Sequence, residues 1–240
     1  MAGIEQVTKG SLSSSQTHNM ILSEWRKAGK FLKDKRELGT TPIDKLPFQN
    51  KNERVVFKST IGGELNVDQQ GKAALSGRAA LIKSQVKQAS NALTKEEKYL
   101  YEAQAEAAEA TGKFLELITK GNYSYEQALN KKVGGFLFFG GYKVLDKFIR
   151  ATLSIAEKGG KASIALENLK ALEEFKEIPS VNAALAKNAE KIAKLKSKAE
   201  DPRLAAFQET SEGSTMPSEL AQKYSGGGKG AGNPNYATAA

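Results

Sequence analysis

The chain has 240 residues, 36 of them Lys or Arg against 27 Asp or Glu, for a net charge of +9. It contains no cysteine, one histidine (His18) and one tryptophan (Trp25), and its mean hydropathy is −0.47. This composition excludes disulfides, thiolate metal sites and a cysteine nucleophile, and any Ser-His-Asp arrangement would depend on His18 alone.

Alanine, lysine, glutamate and leucine dominate, as they do in long-helix proteins. The reading is an all-α, elongated molecule rather than one with a large core. Zinc would need ligands that the chain lacks, so no cofactor and no catalytic function are expected. His18 stands in a serine- and threonine-rich segment and is expected to be an exposed polar residue. The positive charge is uneven. Residues 1–60 hold 11 basic against 6 acidic residues, residues 131–200 hold 14 against 8, and the middle is balanced. Basic regions of this kind attract phosphate, on a nucleic acid backbone or on an anionic membrane surface.

In chain order, 1–72 reads as a polar N-terminal arm. Residues 1–16 carry no apolar h-region of the secretory kind and are expected to be mobile. A basic helix is expected over 17–38, with Ile21, Trp25, Ala28 and Leu32 at spacings of about 3–4 residues on one face. Arg26, Lys27, Lys30, Lys33, Lys35 and Arg36 form its candidate phosphate-binding set. Such cations are often only a solvated face. Six of them against the single acid Asp34 favour contact with DNA or lipid phosphate, largely independent of base sequence. Beyond Gly39, residues 40–72 read as an extended linker broken by Pro42 and Pro47. A hairpin could pair Val55-Val56-Phe57 with Leu65-Asn66-Val67 across Gly62-Gly63.

A long coiled-coil helix is expected over 73–120. Leu75, Ala79, Ile82, Val86, Ala89, Leu93, Glu96, Leu100, Ala103, Ala107, Ala110, Phe114 and Leu117 follow one another at alternating spacings of about 4 and 3. The ribbon has two readings, a seam between copies in a homo-oligomer or packing within one chain; the first is preferred. Polar Glu96 would then set register.

A helical region is expected over 124–207. Gly121-Asn122 ends the preceding helix, and Ser124 and Gln127 form a capping box. The helix they start is expected to run from Tyr125 toward Lys158, through KKVGGFLFFGGYKVLDKF. Four interior glycines would cost a helix roughly 1 kcal/mol each against alanine. Three readings follow for Phe136, Leu137, Phe138, Phe139 and Tyr142: a close helix–helix contact, a bend or hairpin tip, or a membrane-inserting tip. The apolar run is too short to span a bilayer but long enough to enter its interface, with Lys131, Lys132, Lys143 and Lys147 among the headgroups. Further helices are expected over 161–177 and 181–199, with a last turn through Phe207. The tail, 208–240, is rich in glycine and small polar residues and is expected to be disordered.

The order of these features resembles the internal virion proteins of small bacteriophages, the microvirus DNA pilot proteins. The features are a polar N-terminus, the Ala/Gln/Glu/Lys stretch SQVKQASNALTKEEKYLYEAQAEAAEA, a glycine-rich apolar patch and a low-complexity tail. Pilot proteins often carry their glycine-rich apolar segment at the start, whereas here it lies in the middle. The resemblance rests on architecture, and it assigns no residue individually. It implies a helical assembly of minor capsid proteins with membrane-active segments that helps DNA cross the host envelope. The expected location is the virion interior or the host cytoplasm. The alternative is a cytoplasmic coiled-coil scaffold or a sequence-independent DNA-binding protein.

Overall fold

A computed structural model describes residues 13–133 and 141–199. The protein is all-α. Among the described residues there are nine α-helices, two short 3-10 turns and one two-stranded antiparallel pair.

Helix α1 spans Ser14–Asp34, starting slightly before the expected position because Ser13 caps it, its hydroxyl accepting from the Gln16 backbone N–H at 3.2 Å. The expected stripe is the buried face, with Ile21, Trp25 and Ala28 fully buried. The helix ends at Lys35, whose φ of −133° leaves the helical region, so Arg36–Gly39 is a separate 3-10 turn. His18 is not an exposed residue of a mobile arm. It is 7% exposed, and its Nε2 lies 2.9 Å from the Glu167 carboxylate.

Residues 51–64 are not a hairpin strand but helix α2, Lys51–Glu64. Asn50 caps it through the Glu53 N–H at 2.9 Å, and the Glu53 carboxylate in turn accepts from Gln49 N–H at 2.7 Å. The β-branched pair Val55 and Val56, which suggested a strand, faces solvent; Ile61 one turn beyond Phe57 carries the buried side. Leu65 closes the helix and Asn66 follows at φ +48°, a left-handed position that asparagine tolerates. The Asn66 amide then donates at 2.6 Å to Glu24, a buried carboxylate that also pairs with Lys27 at 3.0 Å.

The single helix expected over 73–120 is two: α3, Ala74–Gln88, and α4, Lys95–Thr119. Thr94 and Glu97 form a reciprocal capping box that starts the second. The two run antiparallel, since Lys83 pairs with Glu109 while the earlier Ser76 donates to the later Glu116 at 2.8 Å. Gly112 makes the close approach feasible: a Cβ there would sit 2.8 Å from the Ser76 backbone nitrogen. Helix α4 packs against α1, α3, α5 (Tyr125–Asn130) and α6 (Val144–Glu157). Its buried residues cover most of its circumference, leaving one charged stripe of Glu102, Glu106, Glu109, Lys113 and Glu116, and its alanines 103, 105, 107, 108 and 110 let the neighbours close in.

The expected Tyr125–Lys158 helix is also divided. Helix α5 stops at Asn130, strands β1 (Lys132–Val133) and β2 (Tyr142–Lys143) pair, and α6 begins at Val144. Helix α7 spans Ala162–Glu173. The stretch expected as one helix over 181–199 is α8, Pro179–Lys187, with proline at its first turn, and α9, Ala189–Ala199, parted at Asn188. The turn expected through Phe207 and the tail lie outside the described residues.

The core runs against the expectation drawn from one tryptophan. Trp25 stacks on Phe114 with centroids 4.9 Å apart, and Phe148 and Phe175 close round it at 4.9 and 5.2 Å. Tyr125 meets Phe114 edge-on at 5.3 Å. The polar ends of this cluster are satisfied. The Trp25 indole N–H donates to Thr111, and the Tyr125 hydroxyl donates to the Ala28 carbonyl at 3.1 Å. Burial pushes the Tyr125 phenol well above its ordinary pKa.

Candidate functional site

The oligomer seam expected along 75–117 is inside the chain. Leu75, Ile82, Val86, Leu100, Ala103, Ala107, Phe114 and Leu117 are all buried by the chain's own helices, and Leu93 is half-buried. The ribbon misleads because a helical hairpin keeps the same spacing on both arms. The α3 arm lays its stripe on α4, and the stripe of α4 is buried among α1, α3 and α6, so among the described residues no continuous seam is left to join a second copy. Glu96, placed in that seam by its spacing, is exposed in the first turn of α4, where a carboxylate favours the helix N-terminus.

The basic set on and after α1 is half committed. Lys27 pairs with Glu24, and Lys33 lies 3.4 Å from Glu174. Lys35 lies over Phe48 and Phe57, 4.8 and 4.4 Å from the ring centroids. Arg26, Lys30 and Arg36 are exposed and in no ion pair among the described residues.

The strand pair draws together what is left. The capping box is present: Ser124 accepts from Gln127 N–H at 3.2 Å and Gln127 accepts from Ser124 N–H at 3.0 Å. It fixes α5, whose Lys131 cap is extended, so the chain leaves the helix as a strand. Register is Lys132 opposite Lys143 and Val133 opposite Tyr142. The Val144 N–H donates to the Lys131 carbonyl at 3.1 Å, and Lys143 Nζ donates to the Asn130 side chain at 3.0 Å. The ends of the glycine-bracketed stretch are therefore pinned side by side with a lysine on each. Phe136, Leu137, Phe138 and Phe139 lie outside the described residues. Tyr142 is 55% exposed and carries the Arg150 guanidinium 4.7 Å above its ring. Lys131 lies over Tyr123 at 5.3 Å. Lys147, counted with the headgroup lysines, turns inward to Glu109 at 2.9 Å. Arg150 escaped notice because it reads as one polar position on an amphipathic helix; only the strand pair brings Tyr142 under it.

Among the described residues no helix is long and apolar enough to cross a membrane. The fold defines an all-α protein with one paired-strand projection of sequence between two helices. No protein-family model, curated protein or solved structure matches this chain.

Proposed function

We propose that this is a non-enzymatic membrane-contact protein, whose apolar FLFF sequence enters the interface of an anionic bilayer. The carrying observation is the register of Lys132 with Lys143, which sets two cations abreast at the base of FLFF. Lysines near an anionic surface contribute about 1 kcal/mol each. Phenylalanines in the interface add burial that no aqueous neighbour supplies. The apolar run is too short to span, so the contact is one-sided. The resemblance to pilot proteins gives this contact its setting. In that setting the protein is a virion component, held in the virion interior or made in the host cytoplasm, that assists DNA across the host envelope. Assembly through the 75–117 ribbon is not part of this proposal; a homo-oligomer would form through other surfaces.

A second reading has its own support: Arg26, Lys30 and Arg36 are uncommitted cations suited to a DNA backbone. The alternative is thus a sequence-independent DNA-binding or scaffold protein.

Vesicle flotation separates the two. The full chain should float with vesicles containing anionic lipid and not with vesicles of phosphatidylcholine alone. Serine at Phe136, Phe138 and Phe139 should abolish flotation with helicity unchanged. Flotation that survives the three serines would sink the membrane reading, whereas DNA retention lost on Arg26, Lys30 and Arg36→Gln would favour the second.

A further inference from the structure

Beside the strand pair, one face of α6 and the α8–α9 junction enclose a groove of about 380 Å³. That is within the range of small-molecule sites, roughly 300–1,000 Å³. Its cations are Arg150 from α6, Lys187 at the end of α8 and Lys191 in the first turn of α9. Asp146 and Glu157 stand toward the two ends of the α6 side. None of these five charges is in an ion pair among the described residues. Arg150 is nonetheless held, because it lies on the Tyr142 ring, which also lines the groove. Stacking of this kind leaves the guanidinium N–H edges free for an anion.

We infer that this groove takes a phosphoethanolamine headgroup, its phosphate against Arg150, Lys187 and Lys191 and its ammonium against Asp146 or Glu157. The inference rests on the membrane-contact reading and names its ligand. Two chain segments about forty residues apart bring three unspent cations to one concavity, which is more than a solvated helix face supplies. The carboxylates argue against a nucleic acid, since a continuous row of phosphates would run past Asp146 and Glu157 and be repelled. A short zwitterion instead satisfies both signs at once. Ile149 and Leu153, both buried, also line the groove. Tyr142 joins the groove to strand β2.

The test is titration of the full chain with soluble glycerophosphoethanolamine, followed by amide shifts in nuclear magnetic resonance. Shifts should gather at Ser154, Asn188 and Lys191. The variant R150Q/K187Q, at two exposed positions, should bind at least about tenfold more weakly, the loss expected for charge-assisted hydrogen bonds. The variant D146N/E157Q should narrow the preference for glycerophosphoethanolamine over glycerol phosphate. Absent shifts, or equal shifts in R150Q/K187Q, would overturn the inference, as would displacement by a DNA duplex at equal phosphate. This readout needs no bilayer, so its failure is separate from failure of flotation. A chain that floats but shows no groove shifts keeps the membrane reading and loses only this one.

Discussion

The indole N–H of Trp25 donates to the hydroxyl of Thr111 at 3.0 Å, across 86 residues of chain. The Thr111 hydroxyl in turn donates to the Ala107 carbonyl at 2.8 Å, so both groups are satisfied although neither is exposed to solvent. This bond ties α1 to the central helix.

Thr111→Val keeps the shape and removes the acceptor, leaving a buried indole N–H unpaired. The expected loss is about 1–3 kcal/mol. Trp25→Ala empties the aromatic centre and should cost about 3–5 kcal/mol. Urea unfolding of both variants checks the order. A Thr111→Val protein as stable as the parent would mean that the bond contributes nothing.

Gly112→Ala sets helix propensity against space. Alanine would gain about 1 kcal/mol in an open helix. Here its methyl would meet the Ser76 backbone, at 2.8 Å from nitrogen and 3.3 Å from Cα, which no change of the Ser76 side chain can relieve. The clash should win, with a net loss of about 1–3 kcal/mol. The double variant with Ser76→Gly should be no better, and thermal melting of the two shows whether it is.

The same residues show what the sequence discloses and where it stops. The capping box at Ser124 is legible because nothing competes with it. Thr94 and Glu97 carry the same signature, yet the apolar spacing runs on through Ala89 and Leu93 and hides the break. A helical hairpin and a continuous helix share that spacing, and only tertiary contact tells them apart. Asn50 and Glu53 likewise announce a helix start, masked by the strand preference of Val55 and Val56. Trp25 is visible on its stripe, but Phe114, Phe148 and Phe175 come to it from far along the chain, beyond any local pattern. The basic set shows the same limit: charge is countable, but the partners of Lys27, Lys33 and Lys35 are not. For Arg150 the missing information is a strand register.

Ile82 tests whether the ribbon works within the chain. It is buried with Val86 and Ala105, in a small cluster between α3 and α4. Ile82→Ala should cost about 2–5 kcal/mol, toward the lower end because the cluster is small. The loss should be the same at every protein concentration. A seam between copies would instead make the unfolding midpoint rise with concentration, and denaturant titrations over a wide range of concentrations distinguish the two.

Glu109 ties three helices together, accepting from Lys83 on α3 and from Lys147 on α6. Partial burial raises its pKa, but the two ammonium groups outweigh that and hold the carboxyl below the ordinary carboxylate value. A carboxyl whose folded pKa is lowered stabilises the fold above its unfolded pKa. That contribution fades as the pH falls through the lower folded value. Glu109 is about two-fifths exposed, so solvent screens the pair and the contribution at neutral pH stays within about 1 kcal/mol. Glu109→Gln should therefore be slightly less stable than the parent at neutral pH, and the gap should close on acidification below the ordinary carboxylate range. Denaturant midpoints of the two proteins across that range give the measurement; a gap that stays constant or widens in acid would show that the lysines do not hold the carboxylate as described.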